Sequence, residues 1–351
     1  MCRNFGKQGY IQVVEVRFGL RNLSNTQRKI DMMRKIILVA ALLVAGTTIA
    51  QAQLKKEYSK PTTAAPVFST TASPDIPATV TFAGEKVSFD RLDMAERLDR
   101  ELTGIIYGQT TTELCFKRAN RYFPALARIL KEQGVPLDFL YLAVTESSMD
   151  YNAYSSAKAA GMWQLLAGTA RDYGLEVTDE VDERFDPEKS TAAACKYLKA
   201  AYKRYGHWPT VAASYNAGMQ KISNELTKQR VDNSFDLYLV QETSRYVFRI
   251  IAYKLVMENP KRYGYRFSRK HLYQPVDYTT VDVTGGVASW VDWAKGKGIT
   301  YAQLREANPW IRSTKLTNSA GKTYKVRIPK SSELYRSKRT FTVYNKEWVV
   351  D

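Results

Sequence analysis

The spacing of apolar residues between positions 89 and 262 constrains this chain most strongly, because it follows the period of an α-helix. The first such run recurs at three- and four-residue steps, at Phe89, Leu92, Ala95, Leu98, Leu102 and Ile105, and predicts an amphipathic helix. Further helices are predicted at residues 112–122, 124–134, 137–147, 162–173, 187–206, 209–216 and 243–258. Strand signals are nearly absent here. We therefore expect a mainly α protein with an all-helical domain over residues 88–268.

After Gly264 the pattern changes to short strands and short helices. Residues 276–283 carry β-branched and aromatic residues at strand spacing, and Gly285-Gly286 predicts a turn. Residues 324–329 predict a closing strand, with two short helices before it. Residues 276–330 are therefore predicted to form a small α+β module.

Two further segments lie outside these domains. Residues 53–87 are rich in Thr, Ser, Ala and Pro without a helical period, which predicts a linker. Residues 331–351 are basic and aromatic, and we expect them to form a tail or one more strand.

The first 52 residues have the organisation of an export signal. Met33-Arg34-Lys35 precedes an apolar run, residues 36–45, and then Ala50-Gln51-Ala52. This order predicts a secretory signal peptide cut after Ala52. The run is shorter than the roughly 20 residues of a membrane-spanning helix, although an uncleaved anchor is an alternative. A secretory signal normally begins near the initiator methionine, yet 31 residues precede Met32. We therefore expect translation to begin at Met32 or Met33. The signal itself predicts that the protein reaches the periplasm or cell envelope.

The net charge narrows the choice of partner. The chain has 52 Lys and Arg against 35 Asp and Glu, a formal charge of +17. Loss of residues 1–52 removes eight basic and two acidic residues and leaves +11. Such a charge favours an anionic partner. Export argues against nucleic acid, and it leaves an acidic cell-wall polymer and association with a membrane surface open.

The histidine and cysteine content limits metal and disulfide chemistry. Two histidines, His207 and His271, exclude a multi-histidine metal centre, and we expect no cofactor. Three cysteines in this length exclude a disulfide scaffold. Cys115 and Cys195 follow the signal and could pair in an oxidising compartment. Two buried thiols on helix faces are an equally good alternative.

Glu146 is the candidate for acid–base chemistry. In the predicted helix it shares a face with Phe139, Leu142 and Ala143. Desolvation on an apolar stripe raises the pKa of a carboxylic acid towards the range of a general acid. A glutamate near a helix end that turns to solvent is the alternative.

Two segments rich in small residues are candidates for binding a polymeric substrate near Glu146. Residues 155–164, SSAKAAGMWQ, end in an amide, and residues 213–218, ASYNAG, combine an aromatic residue with an amide. Small side chains let a bulky polymer approach the backbone, where Gln164 could hydrogen-bond it. Close packing of helices explains each segment alone equally well.

Taken together and in order, these motifs carry a family resemblance. Residues 146–147 (ES), 161–164 (GMWQ), 215–218 (YNAG) and 242–250 (ETSRYVFRI) resemble those of the lytic murein transglycosylases, D-type membrane-bound branch. The likeness covers roughly residues 110–268. It implies a catalytic SLT domain with a goose-type-lysozyme-like helical fold, and cell-wall peptidoglycan glycan strands as the partner.

The resemblance also implies roles for the matching residues. Glu146 matches the single catalytic acid/base, and Tyr246 matches the tyrosine that bonds its carboxylate. Four further residues match positions that bind the glycan, namely Ser155, Gln164, Tyr215 and Asn216. The chain has Lys158 where many relatives have Gly.

One acid/base is enough for the chemistry that the resemblance implies. Glu146 would protonate the glycosidic oxygen between N-acetylmuramic acid (MurNAc) and N-acetylglucosamine (GlcNAc). It would then deprotonate the MurNAc 6-hydroxyl, which closes a 1,6-anhydro ring without water. The nearest second acid along the chain is Asp150, for which we expect a turn role.

Two other functions stay open at this point, namely a hydrolytic muramidase of the same fold and a non-catalytic murein-binding protein. Glu146 argues against the second, because a binding module has no use for a half-buried acid. The module at residues 276–330 resembles a degenerate LysM domain, whose relatives bind GlcNAc-containing glycans. A purely structural add-on is the alternative for this module.

Overall fold

Helices dominate the computed structural model, which describes residues 30, 32–33, 73–336 and 340–350. Residues 70–351 form one compact unit. The unit before it, residues 1–69, is described only at three residues, Ile30, Met32 and Met33, which are helical and exposed. The predicted signal peptide and most of the predicted linker thus lie outside the described residues.

A β-hairpin precedes the helices of the larger unit. Strand β1 (Thr79–Phe82) pairs antiparallel with β2 (Glu85–Ser88). Ala83 and Gly84 join them, both with positive φ, as a two-residue hairpin turn of this type requires.

The hairpin corrects the prediction of a linker over residues 53–87, which is wrong at its C-terminal end. Val80, Phe82 and Val87 are buried. Phe82 packs on Phe139, with ring centroids 5.7 Å apart. Four-residue strands are too short for their alternation to stand out from Thr-rich surroundings, so the sequence pattern did not reveal them.

Two long helices follow the hairpin, α1 (Leu92–Tyr107) and α2 (Gln109–Glu132). The predicted break at Pro124 is wrong, because this proline lies inside α2. Phe123 and Leu126 on either side of it are completely buried. Their packing offsets the hydrogen bond that a proline removes from a helix interior.

The next helix is short and ends abruptly. A 3₁₀ turn, Leu137–Phe139, leads into α3 (Leu140–Ser147). Ser148 and Met149 then adopt left-handed φ values of 52° and 60°. Residues in this region cannot continue a right-handed helix, so Glu146 lies on the last turn of α3.

Four helices continue the domain, α4 (Ala167–Asp172), α5 (Pro187–Tyr205), α6 (Trp208–Ala217) and α7 (Met219–Gln229). Asp186 caps α5, since its side chain accepts hydrogen bonds from the backbone N–H groups of Glu188 and Lys189. The predicted helix over residues 162–173 is shorter than expected, because residues 153–165 form a loop.

Helix α8 (Gln241–Glu258) organises the domain. It packs against α1, α3 and α6. Ile250, Ile251, Ala252 and Val256 are completely buried along it. The mainly α fold is confirmed, and α8 brings together elements that are far apart in the sequence.

The C-terminal module is the expected α+β unit. Strand β3 (Tyr278–Val283) pairs antiparallel with β4 (Tyr324–Pro329). Helices α9 (Trp290–Gly296) and α10 (Tyr301–Ala307) lie between them in the chain. Thr300 begins α10 with a capping box.

The core of this module includes a residue of the helical domain. Val181, from the connection between α4 and α5, is buried with Trp290, Leu304 and Trp310. The backbone N–H of Asp182 donates to the carbonyl oxygen of Trp310 at 2.8 Å. The two parts therefore share a packed interface.

The C-terminal segment is not the tail that its basic composition predicts. Trp348 is 1% exposed and packs edge-on against Phe116, with centroids 5.3 Å apart. Its indole N–H donates to the carbonyl oxygen of Met257 at 2.7 Å. The expectation of a tail is wrong at this end, because the residues that bury Trp348 are remote in the sequence. The alternative of a strand is met only by an isolated parallel bridge between Phe267 and Val349 within the described residues.

The two cysteines after the predicted signal are unpaired. Cys115 on α2 and Cys195 on α5 are both completely buried. Burial raises the pKa of the Cys115 thiol to about 11 and that of Cys195 to about 12. The alternative of two buried thiols is confirmed.

Candidate active site

Glu146 faces helix α8 from the end of α3. The Tyr246 hydroxyl, on α8, donates a hydrogen bond to Oε1 of Glu146. Leu142 and Ala143, on the preceding turn, are completely buried, as the apolar stripe predicts. The structure therefore brings together two of the predicted site residues that lie 100 positions apart.

The surroundings of Glu146 hold its carboxyl near the point of half-protonation at neutral pH. Burial raises the pKa of Glu146 to about 7. The hydrogen bond from Tyr246 lowers it, the charge of Glu242 raises it and Arg249 lowers it, each by less than burial does. A carboxyl with this pKa can both donate and accept a proton during one reaction.

Two predicted residues lie at the end of α6, Tyr215 near the same carboxyl and Asn216 in contact with α8. The Tyr215 hydroxyl donates to the carbonyl oxygen of Trp163 at 2.7 Å. Burial, and next the charge of Glu146, raise the pKa of Tyr215 well above its ordinary value. The Asn216 Oδ1 atom accepts a hydrogen bond from the Thr243 hydroxyl at 2.9 Å. Helices α3, α6 and α8 therefore converge on one site.

Ser155 and Gln164 lie at the two ends of the 153–165 loop. The Ser155 hydroxyl accepts from the backbone N–H of Ala159 at 3.1 Å. The Gln164 side-chain amide donates to the carbonyl oxygens of Ala153 and Gly161, at 3.1 and 2.9 Å. Both side chains thus shape the loop, which reaches the site through Trp163.

The 153–165 loop requires a glycine at position 161. Gly161 has a φ of +78°, and a Cβ there would lie 1.9 Å from the carbonyl oxygen of Arg184. Lys158 has a φ of 64°, in the left-handed region where glycine is the usual residue. The difference from many relatives at position 158 therefore falls on a backbone conformation that favours Gly.

Arg184 binds the backbone of this loop, a role that the sequence pattern did not predict. Its guanidinium donates to the carbonyl oxygens of Lys158 and Leu165, at 2.8 and 3.1 Å. It also pairs with the Asp182 carboxylate, at 2.9 and 2.7 Å. Both side chains are almost completely buried. A buried ion pair holding backbone carbonyls leaves no periodic signal in one sequence.

The second acid near Glu146 is Glu242, and not the Asp150 that chain order indicates. Asp150 accepts from the backbone N–H of Asn152 at 2.9 Å and lies 3.3 Å from Arg118, so its predicted turn role is confirmed. The exposed Glu242, on the first turn of α8, is close enough for its charge to act on Glu146.

The described residues contain neither a cluster of metal-binding side chains nor a membrane-spanning helix. In that part of the chain, no group of three or more His, Cys, Asp and Glu side chains is placed to bind a metal. No helix described by the structure combines the length and the apolar character needed to cross a membrane.

Comparison with protein families identifies both parts of the chain. Residues 125–236 match the transglycosylase SLT domain, and residues 279–332 match the soluble lytic transglycosylase C-terminal LysM-like domain. The chain therefore carries an SLT domain followed by a LysM-like domain, as its motifs predict. Of the predicted site residues, only Tyr246 lies outside the matched SLT range.

Individual proteins similar to this chain are described as lytic transglycosylases. Membrane-bound lytic murein transglycosylase D of Escherichia coli (strain K12) is 31% identical over 227 residues, 61% of this chain and 47% of the relative. The protein of that description from Escherichia coli O6:H1 gives the same figures. The chain thus spans about half the length of these curated relatives. The 70 kDa soluble lytic transglycosylase of Escherichia coli superposes with a TM-score of 0.34 at 23% identity, covering 38% of this chain and 23% of that chain.

Proposed function

We propose that this protein is a murein lytic transglycosylase. It cleaves the β-1,4 bond between MurNAc and GlcNAc in peptidoglycan and leaves 1,6-anhydromuramoyl ends, with Glu146 as the sole acid/base. The SLT domain match and the relatives that are lytic murein transglycosylases support the reaction class. The predicted export signal supports a place in the periplasm or cell envelope.

One observation carries the proposal: Glu146 is half-buried, burial raises its pKa to about 7, and its hydrogen-bond donor within the described residues is the hydroxyl of Tyr246. Such a group is partly protonated at neutral pH and is available as a general acid. In the first step, Glu146 gives its proton to the glycosidic oxygen as the bond from the MurNAc C1 atom to that oxygen breaks.

The second step uses the carboxylate that the first step creates. Glu146 takes the proton of the MurNAc 6-hydroxyl, whose oxygen bonds to C1, so the carboxyl ends in its starting state and no water is consumed. Because the attacking hydroxyl belongs to the same sugar, its effective concentration replaces activation of a water molecule. The Tyr246 hydroxyl stabilises the carboxylate between the two steps.

The remaining predicted residues fit contacts with the glycan. Tyr215 lies near the carboxyl, Asn216 follows it at the end of α6, and the 153–165 loop contacts Tyr215 through Trp163. We assign Ser155 and Gln164 to the wall of a groove beside Glu146 that would hold the glycan. Their hydrogen bonds to the backbone keep the 153–165 loop in one conformation. Small residues in this loop let a sugar chain approach the main chain.

A hydrolytic muramidase is the second candidate, because the charge of Glu242 acts on Glu146. A hydrolase of the ordinary kind needs a second carboxylate as base or nucleophile. Glu242 is the acid to which that role would fall. Its exposure on the first turn of α8 places it in solvent, which favours the first candidate.

Digestion of purified sacculi in H₂¹⁸O tests the proposal. We expect the released muropeptides to carry anhydro-MurNAc ends without ¹⁸O, as seen by mass spectrometry. Reducing MurNAc ends that contain ¹⁸O would replace the proposal with the muramidase. Sacculi that bind the protein but release nothing would identify a non-catalytic binder.

A further inference from the structure

Phe185 links the 153–165 loop to the LysM-like domain. Its ring stacks with that of Tyr154, with centroids 6.4 Å apart and planes at 15°. The Cζ atom of Arg312 lies 3.9 Å from the Phe185 centroid, within the range of a cation–π contact. Tyr154 is 58% exposed and directly precedes Ser155. An arginine of the C-terminal domain thus reaches the edge of the proposed groove.

A second arginine of that domain lies beside the first. Arg305, on α10, donates to the Tyr301 hydroxyl at 3.0 Å. Its Nε atom is buried and has no hydrogen-bond partner within the described residues. Burial lowers the pKa of Arg312, and the charge of Arg305 is the next cause. The Tyr301 hydroxyl that Arg305 contacts donates to the carbonyl oxygen of Ser313, the residue after Arg312, at 3.4 Å, so the two arginines lie in the same region of the domain.

The carboxylates around this arginine pair bind other groups. Asp182 is held by Arg184. Glu306 accepts from the Tyr151 hydroxyl at 2.5 Å, and Glu180 accepts from Thr317. Across the described part of the chain, neither arginine forms an ion pair with a carboxylate.

Like charges at close range destabilise each other unless an anion lies between them. Two contacts hold Arg312 in place. Its backbone N–H donates to the carbonyl oxygen of Glu180 at 2.8 Å, and its side chain stacks on the ring of Phe185. Both arginine side chains are therefore held in place, and Asp182, a carboxylate whose charge also acts on Arg312, is already bound by Arg184. Fixed guanidinium groups of this kind suit planar carboxylates.

We propose that Arg305 and Arg312 bind a carboxylate of the peptide stem of murein, while the adjoining groove holds the glycan. The inference rests on the proposed function, because murein is the substrate that would bring a sugar chain and its acidic stems to this edge together. The LysM-like domain then contributes to substrate choice by selecting glycan that still carries its stems.

The test compares two substrates with the full chain. Soluble glycan strands are prepared with intact stems and, by amidase treatment, without them. Arg312→Gln and Arg305→Gln should each raise KM for stem-bearing strands about five- to tenfold, as expected for a partly exposed charged contact. KM for stem-free strands and kcat on both should stay unchanged.

Lys86→Gln is the matched control. Lys86 is exposed on β2, next to Glu85, which accepts from the backbone N–H of Trp208 at the start of α6. Lys86 thus lies near the start of α6, whereas Tyr215 lies near its end. The Lys86→Gln substitution removes one positive charge, as the arginine substitutions do, and it should change KM for neither substrate. Equal unfolding midpoints of all variants show that folding is intact.

Three results would overturn the inference. They are an equal rise in KM on both substrates, no rise on either, and a rise that Lys86→Gln reproduces. If the wild-type protein turns over neither substrate, the proposed function fails. Sedimentation binding of the same strands, which needs no turnover, then decides the inference alone: binding must favour stem-bearing strands, and the two arginine variants must lose that preference.

Discussion

Helix α8 contacts two carboxyl groups through different side chains, the buried Glu101 and the half-buried Glu146. Glu101, from α1, is 3% exposed and is held by the guanidinium groups of Arg245 and Arg249, the latter at 2.9 Å. Glu146, from α3, accepts a hydrogen bond from the hydroxyl of Tyr246 instead. Glu101 therefore forms ion pairs with two guanidinium groups. The hydroxyl of Tyr246 lowers the pKa of Glu146 by less than burial raises it, so Glu146 can hold a proton.

The helix period produces this difference. Arg245 and Arg249 are four residues apart and share one face of α8, whereas Tyr246 lies about 100° round the helix from Arg245 and about 60° from Arg249. Helix α1 packs on one of these faces and α3 on the other. One element thus supplies an ion pair that stabilises the fold and a site where an acid can react.

Replacing each carboxyl separates the two roles and has the largest expected effect. Glu146→Gln should lower kcat on murein about 10²–10⁴-fold, because the amide keeps the volume but cannot transfer the proton. Glu101→Gln is the matched control and should change kcat less than tenfold. It should instead lower the free energy of unfolding by about 1–3 kcal/mol, since two partly exposed arginines lose their partner.

Activity assays on sacculi and urea unfolding of both variants measure this contrast. Glu146→Gln should unfold no more easily than the wild-type protein. A Glu101→Gln variant that loses activity to the same extent at full folding would show that the two carboxyls belong to one site, which contradicts the account.

Tyr246→Phe should have a smaller effect, and on the pH profile. The hydroxyl stabilises the charged form of Glu146, so its loss raises the pKa of that carboxyl further. Protonated Glu146 begins the reaction, and kcat/KM should therefore fall as the pH rises through about 7 in the wild-type protein. In the variant this fall should occur about one pH unit higher. An unshifted profile would remove Tyr246 from the control of Glu146.

The sequence predicted the helices that build the site better than the contacts that tune it. The apolar stripe placed Glu146 correctly, because burial on one face of a helix is periodic. The partner tyrosine came only from the family resemblance. Glu242 and Arg184 were missed, since the first lies close to Glu146 through helix packing and the second binds backbone carbonyls. Contacts between distant elements leave no local pattern.

The short and the C-terminal elements show the same limit. Strands β1 and β2 have four residues each, too few for a clear alternation. Trp348 stands in a basic segment, and its burial depends on Phe116 and Met257. The C-terminal module was predicted as a unit, but its shared core with Val181 was not.

Direct titration of the Glu146 carboxyl tests the central claim most closely. The protein is labelled with ¹³C at the glutamate carboxyl carbons, and the signal of Glu146 is assigned by its absence from the Glu146→Gln variant. Its chemical shift should change with a midpoint near pH 7, while no other glutamate signal is lost in the variant. A midpoint near the ordinary value of 4.5 would show that the carboxyl is ionised at neutral pH, and it would contradict the role of Glu146 as a general acid.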